Sequence, residues 1–284
     1  MLKGLVIGVL GVLGLSALAV VGLTLRDRQE VLRLRAALLA ARAPEPERYD
    51  PAMVQDLPEI AQRYFARAIR PGTPLSRVVT LRMEGTFLLN GQPLPMTARQ
   101  ILTPGGFIWE AAMGSGIMRI AGSDGLDDRQ DEALGEGRSW TRFGIWGVIP
   151  VARAGGSDDH RRSARTRALL ESVWTPAAFL PRFGAQWEQT GPDSARVSLA
   201  AFGDVPAMEI TLNADGTLET ITALRWSNAN PQREYRLQPF GGRVLETRDF
   251  NGFGIPSRVE MGNLWGTPDY DGFFRATLIR AEHE

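Results

Sequence analysis

Two carboxylates close to tryptophans are the side chains best suited to acid–base chemistry. Glu110 directly follows Trp109, and Glu171 precedes Trp174 by three positions. Burial against an indole raises the pKa of a carboxyl group and prepares it to donate a proton, as in the carboxylate pair of a glycosidase. Plainer roles stay open, because Glu171 is equally suited to bind an arginine and Glu110 to face solvent from a strand. A carboxylate-dependent hydrolase is therefore one hypothesis.

The sequence contains few residues for other kinds of catalytic site. A Ser-His-Asp device would have to use His160, which follows Asp158 and Asp159 where a solvated helix cap is expected, or His283, which is the penultimate residue. The absence of cysteine excludes thiolate chemistry, and two histidines argue against a multi-histidine metal centre. Lys3 is the only lysine, so the chain has no G-x-x-x-x-G-K-[ST] phosphate loop. We expect no cofactor and no metal.

The charge pattern bears on two further functions. The 32 basic and 32 acidic side chains balance, whereas nucleic-acid binders usually carry a basic excess, so no nucleic-acid partner is expected. The acidic stretch at residues 124–136 lacks the D-x-[DN]-x-[DN]-G order of a calcium loop and predicts a solvated loop tip.

The tryptophans offer an apolar site as an alternative. Indoles on strands and beside prolines can line a cavity while their N–H groups orient a ligand, although most such residues are ordinary core. The candidate lining of a ligand cavity is Trp109, Glu110, Glu171, Trp174, Phe179, Trp187 and Trp226. The glycine-rich segment at 137–150, with Trp140 and Trp146, fits a flap, a membrane-facing edge or a packed crossover.

An unbroken apolar run precedes the body of the chain. Leu5 to Leu25 contains no charge, and a helix of that length spans about 30 Å, the thickness of a bilayer core. A signal peptide cleaved after Ala19 is the alternative, but apolar residues continue beyond that position. We expect a single-pass anchor that makes the membrane a partner through residues 5–25. The expected domains are an anchor (1–28), a juxtamembrane helix with a proline-rich linker (29–55) and a strand-rich globular domain (56–284).

The periodicity after the linker is mainly that of strands. Val79 to Leu89 alternates apolar and polar residues, and Asn90-Gly91 is a hairpin signal. Similar runs between glycine-rich turns predict eight to eleven antiparallel strands. Helices are expected after Asp56 as a cap and over residues 158–172, capped by an aspartate. The expected fold class is mainly β (α+β): a large curved antiparallel sheet, half-open and barrel-like, with a few helices and one N-terminal transmembrane helix.

Motifs across the soluble part resemble a family of bacterial membrane-anchored proteins of unknown function. The most specific is ESVWTPAAFLP, from Glu171 to Pro181, and others are Leu57-Pro58-Glu59-Ile60 and Gly252-Phe253-Gly254-Ile255-Pro256. The resemblance implies no particular chemistry. The strand-rich pattern is similar to the half-open barrels of lipoprotein carriers, in which a curved sheet wraps helices and an apolar cavity.

The resemblance and the charge bias disagree on location. Arginines cluster after the apolar run, which by the positive-inside rule places the globular domain in the cytoplasm. The resemblance instead implies an extracytoplasmic domain on the bacterial inner membrane, which we take as the expectation. The leading hypothesis is a membrane-tethered, non-enzymatic protein of the cell envelope that binds or carries a lipid or acyl chain. A protein-interaction scaffold and the carboxylate-dependent hydrolase are the alternatives.

Overall fold

The computed structural model describes residues 2–128 and 138–284, with side chains from residue 18 onward. Its helices are α1 (Leu2–Leu39), α2 (Glu59–Ala68) and α3 (Asp158–Glu171), with short 3-10 helices between elements. The strands are β1 (Val79–Leu89), β2 (Gln92–Thr103), β3 (Gly106–Met113), β4 (Ile120–Asp127), β5 (Arg138–Ile145), β6 (Ile149–Gly155), β7 (Ala185–Gln189), β8 (Ser194–Leu199), β9 (Met208–Leu212), β10 (Leu218–Ser227), β11 (Arg236–Phe250), β12 (Phe253–Asn263) and β13 (Asp271–His283).

All of these strands join one antiparallel sheet in the order β6-β5-β4-β3-β2-β1-β13-β12-β11-β10-β9-β8-β7. Two meanders therefore meet at the centre, where β1 pairs with β13. The predicted antiparallel, mainly β architecture is confirmed, but the predicted number of strands was too low. One reason is β6, which is exposed along its whole length and so lacks the alternation that reveals a strand.

Helix α3 lies on one face of the sheet, the inner face, and the sheet curves so that both of its halves reach the helix. The helix contacts β3, β4, β5 and β6 on one side and β10 on the other, although these strands are far apart in the sheet order. Ser157 caps the helix by accepting a hydrogen bond from the backbone N–H of His160, a role that we had expected of an aspartate. The prediction of Asp56 as the cap of α2 was also wrong, because Pro58 occupies that position and no side chain caps the helix.

Helix α1 packs on the outer face of the sheet. Leu34 and Leu38 are buried against Ile101 and Ile108, which point outward from β2 and β3. Most of the predicted membrane segment, residues 5–25, lies where side chains are outside the described set, so the anchor stays a prediction. Among the residues that the structure describes, no helix combines the length and the apolar character needed to cross a membrane.

Candidate functional site

A cavity of about 180 Å³ lies between α3 and the inner face of the sheet. Most of its wall is apolar or aromatic. The sheet contributes Trp109, Phe240, Val259 and Phe274, while the end of α3 and the following turn contribute Leu170 and Trp174. Because packed protein cores leave few voids larger than a water molecule, a space of this size in the middle of the fold is a candidate ligand site.

Four polar side chains form a connected ionic group at one end of this cavity. Arg167 of α3 donates from Nη1 to Asp124 Oδ2 at 2.7 Å and from Nε to Glu171 Oε1 at 2.7 Å. The second oxygen of Glu171 accepts from Gln100 Nε2 at 2.6 Å. Burial opposes the charged form of Arg167, but the two carboxylates hold its pKa above the usual value. The guanidinium also lies 5.1 Å from the ring centre of Trp109, which favours the cation further.

Arg225 is a second guanidinium in the cavity wall, and its situation differs from that of Arg167. Its Nε donates to Ser163 Oγ at 3.0 Å, and its Cζ lies 4.7 Å from the ring centre of Phe240. Within the described part of the chain no carboxylate lies at ion-pair distance from it. Burial and the nearby charge of Arg167 lower the pKa of Arg225 to about 10. The cavity therefore contains a cation that no acid neutralises by direct contact.

Three residues of the predicted lining meet at this cavity: Trp109, Glu171 and Trp174. Trp174 is 4% exposed, and its Nε1–H donates to the carbonyl oxygen of Pro256 at 3.0 Å. Glu171 binds Arg167, which agrees with the structural alternative in which this glutamate pairs with an arginine. Its two oxygens are occupied by donors, so Glu171 is placed as a structural anion beside the cavity.

Glu110 is not part of the cavity. Successive residues of a strand point to opposite faces, so Trp109 faces inward while Glu110 faces α1 on the outer side. There its carboxylate lies 3.5 Å from Arg35 Nη1. Because Glu110 and Glu171 lie on different sides of the sheet, they cannot act as a pair on one bond.

Phe179 and Trp187 belong to a separate aromatic cluster below α2. Tyr64 contacts both rings, with centroid distances of 6.0 Å to Phe179 and 5.5 Å to Trp187. The indole N–H of Trp187 donates to the carbonyl oxygen of Phe179 at 2.9 Å. These residues pack in the core and are not part of the wall around Trp174, so their predicted role in ligand binding stays a prediction.

Trp226 also lies outside the cavity, near the start of α3. Its Nε1–H donates to Asp159 Oδ1 at 2.7 Å, and its ring stacks on Tyr235 with centroids 6.3 Å apart. The guanidinium of Arg162 lies over the same indole at 4.4 Å. These contacts tie the end of β10 to α3, which is a structural role.

The ionic residues of the cavity were missed as a site by sequence reasoning. Arg225 is in the same strand phase as Ile221 and Ala223, which both face inward. A charged residue at an inward position is a usable signal, because burying a charge is costly without a partner. Asp124 was assigned to a solvated loop tip, but it lies on β4; residues 129–137 of that acidic stretch are outside the described residues.

The two histidines are both held inside the fold. His160 is half-buried, with Nδ1 at 2.7 Å from Ser139 Oγ and Nε2 at 3.1 Å from Thr141 Oγ1, and burial lowers its pKa. It is not the solvated cap that we expected. Neither ring nitrogen contacts a carboxylate, so the arrangement lacks the acid of a catalytic triad. Within the described ranges, no cluster of three or more acidic or histidine side chains is arranged to hold a metal ion.

The elements described above define a mainly β (α+β) fold, in which one large open antiparallel sheet packs against a helix beside an apolar cavity. Residues 47–275 match a family of unknown function, DUF6544. The match covers most of the chain, and the chain belongs to this family. The predicted membrane segment lies outside the matched residues. A search of curated proteins found no match.

Proposed function

We propose that this protein is a membrane-tethered binding protein of the cell envelope that holds an apolar ligand in the half-barrel cavity. The cavity itself carries the proposal, because its wall is built mostly from aromatic and aliphatic side chains around an open volume of about 180 Å³. For scale, an engineered apolar cavity of about 150 Å³ binds benzene. The space therefore suits one ring or a short stretch of acyl chain, not a whole two-chain lipid.

Native mass spectrometry of the detergent-extracted full-length protein tests this proposal. We expect an apolar molecule to co-purify with the unmodified protein. Ile221 lines the cavity, and Ile221→Phe should displace that molecule by filling the space while the protein stays folded. Leu245→Phe is the matched control, because Leu245 is 49% exposed on β11 and lies outside the lining. Equal occupancy in both variants, or no bound molecule in any of them, would contradict the proposal.

A surface beside α1 supports the tether. The apolar tip, defined as Ile117, Met118, Trp146, Val148 and Ile149, exposes between 45% and 81% of each residue. Trp146 joins its two segments, because its indole N–H donates to the carbonyl oxygen of Ile117 at 3.1 Å.

The apolar tip lies next to the predicted end of the membrane segment. Gly147 and Val148 share a groove with Val20, Leu23 and Thr24 of α1. Just beyond these residues, Asp27 fixes the helix to the sheet by ion pairs with Arg142 and Arg153 at 2.9 and 2.6 Å. Tryptophan and exposed aliphatic residues at this level suit the boundary between lipid and water. The helix and the tip together favour a body held close to the inner membrane.

Fractionation and reporter fusions test the tether and its orientation. We expect full-length protein to resist carbonate extraction and a carboxyl-terminal phosphatase fusion to be active, because the globular domain is proposed to lie outside the cytoplasm. Release by carbonate would contradict the tether. A bright cytoplasmic fluorescent-protein fusion together with a silent phosphatase would contradict the orientation alone.

A protein-interaction scaffold is the second candidate function. Leu224 and Leu237 lie diagonally across β10 and β11 and are 47% and 41% exposed on the surface. A partner that covered these residues would protect them from solvent. The hydrolase hypothesis has less support, because Glu110 and Glu171 lie on opposite faces of the sheet, and Asp124 and Glu171 both bind the guanidinium of Arg167.

A further inference from the structure

Arg225 presents unused hydrogen-bond donors to the cavity. A guanidinium has five N–H donors, and in Arg225 only Nε–H has a protein acceptor, Ser163 Oγ, among the described residues. The side chain lines the cavity, so its two terminal nitrogens have access to whatever occupies the space.

The neighbouring carboxylates do not supply the missing partner. Both oxygens of Glu171 are occupied by Arg167 and Gln100, and one oxygen of Asp124 is bound to Arg167. The other oxygen of Asp124 is buried without a hydrogen-bond donor in the described part of the fold, so it forms no hydrogen bond with Arg225. The two acids therefore bind Arg167 directly, and within the described residues neither forms an ion pair with Arg225.

A second donor in the wall is also unmatched. Trp109 is 3% exposed and lines the cavity, yet its indole N–H has no acceptor within the residues described. Buried N–H groups are nearly always paired, because an unpaired one forfeits its hydrogen bonds to water. The indole N–H of Trp109 and the terminal N–H groups of Arg225 suit a ligand that brings acceptor oxygens, whereas Asp124 Oδ1 is an unmatched acceptor in the same wall, so a ligand that brings a donor is the competing possibility.

We propose that the ligand is an acyl or aryl-alkyl carboxylic acid, whose carboxylate binds Arg225 at the charged end of the cavity. This inference rests on the proposed function and specifies the class of ligand. A planar guanidinium can bind a carboxylate through two parallel N–H···O bonds, which are stronger than neutral hydrogen bonds. From Arg225 the tail extends along Phe240 toward Trp174, and the volume limits it to a short or medium chain.

Head-group exchange on the unmodified protein is the first test, with tail length held constant. Octanoate, 1-octanol and octylammonium are titrated separately into the full-length protein in detergent, and binding is measured by calorimetry. We expect octanoate to bind at least about tenfold more tightly than 1-octanol, because only the anion forms an ion pair with two parallel hydrogen bonds to the guanidinium. Octylammonium should bind most weakly, since its charge repels Arg225.

Variants of Arg225 are the second test. Arg225→Gln should reduce the affinity for octanoate by about 10- to 100-fold and leave the affinity for 1-octanol within about twofold. Arg225→Lys should retain part of the preference for octanoate, because it keeps the charge without the two-bond geometry. Arg236→Gln is the matched control, since Arg236 is exposed on β11 and should leave all affinities unchanged.

The outcomes separate this inference from the function on which it rests. Equal binding of octanoate and 1-octanol would overturn the role of Arg225 and leave an apolar binding site. Preferential binding of octylammonium would also overturn it, since the acids would then dominate the cavity. If none of the three compounds binds, both the inference and the proposed function fail. The head-group comparison decides the question even if Arg225→Gln does not fold.

Discussion

His283 should make the stability of this protein depend strongly on pH. The imidazole lies at the end of β13, stacked on Phe253 with ring centroids 3.9 Å apart. Its Nε2–H donates to the carbonyl oxygen of Trp174 at 2.9 Å, which requires the neutral ring to carry its proton on that nitrogen. Burial lowers the pKa of His283 to about 4, below the ordinary value of 6.5.

The sign of the effect follows from which state binds the proton. Between the two pKa values the unfolded chain holds a protonated imidazole while the folded protein holds a neutral one. The unfolded state therefore binds more protons, and stability falls as the pH is lowered through this window. With a shift of this size, the free energy of unfolding should fall by about 2 kcal/mol between pH 7 and pH 5, and by about 3 kcal/mol at pH 4.

Urea unfolding of the unmodified protein and of His283→Gln, between pH 7 and pH 4, measures this contribution. Glutamine keeps a donor for the Trp174 carbonyl but does not titrate, so the variant should lack the histidine-dependent loss. Its deficit relative to the unmodified protein should shrink by about 2 kcal/mol from pH 7 to pH 5. Val259→Ala is the control, because Val259 is buried on β12 and cannot titrate. A deficit in His283→Gln that stays constant with pH would refute the reasoning.

Two further substitutions test the cavity wall. Trp174→Ala should destabilise the protein by about 3–5 kcal/mol, since it removes a buried indole and leaves the Pro256 carbonyl without its donor; an unchanged thermal midpoint would contradict this, and Trp174→Phe should cost less. Arg167→Met should cost about 3–5 kcal/mol at neutral pH by leaving Asp124 and Glu171 without their shared cation. Arg167→Lys should cost less in denaturant titrations, because it keeps a cation between the two carboxylates, whereas equal losses in both variants would argue against the ionic explanation.

The parts of the fold that sequence reasoning predicted well are those with unlike environments on their two faces. β1 was predicted with its actual bounds, Val79–Leu89, because its alternating residues separate the core from the outer side. The β5–β6 hairpin was interpreted as a flap, an edge or a crossover. Strand β6 is exposed at every position and is paired with β5 through backbone hydrogen bonds. It therefore has no alternation of buried and exposed residues by which the sequence could reveal it.

The candidate site shows where sequence reasoning stops. The alternation of residues along β10 predicts that Arg225 faces inward. The sequence does not predict that Arg225 lacks an acidic partner. That property depends on Arg167 binding both nearby carboxylates. Glu171 lies one turn further along the same helix, but Asp124 comes from β4 and meets Arg167 only after folding. Likewise, tryptophan content alone did not distinguish Trp174 in the cavity wall from Trp187 in the core below α2, because both are largely buried indoles with a backbone acceptor.

The pairing of β1 with β13 has a consequence for biosynthesis. These two strands form the centre of the sheet, with Val79 opposite His283 and Phe87 opposite Phe274. At a synthesis rate of about 5–20 residues per second, β13 leaves the ribosome roughly 10–40 s after β1. During that interval one edge of β1 has no strand to pair with, and closing so long a loop makes the final step slow. The exposed charges of Arg82 and Glu84 on β1 discourage pairing with other chains until the last strand arrives.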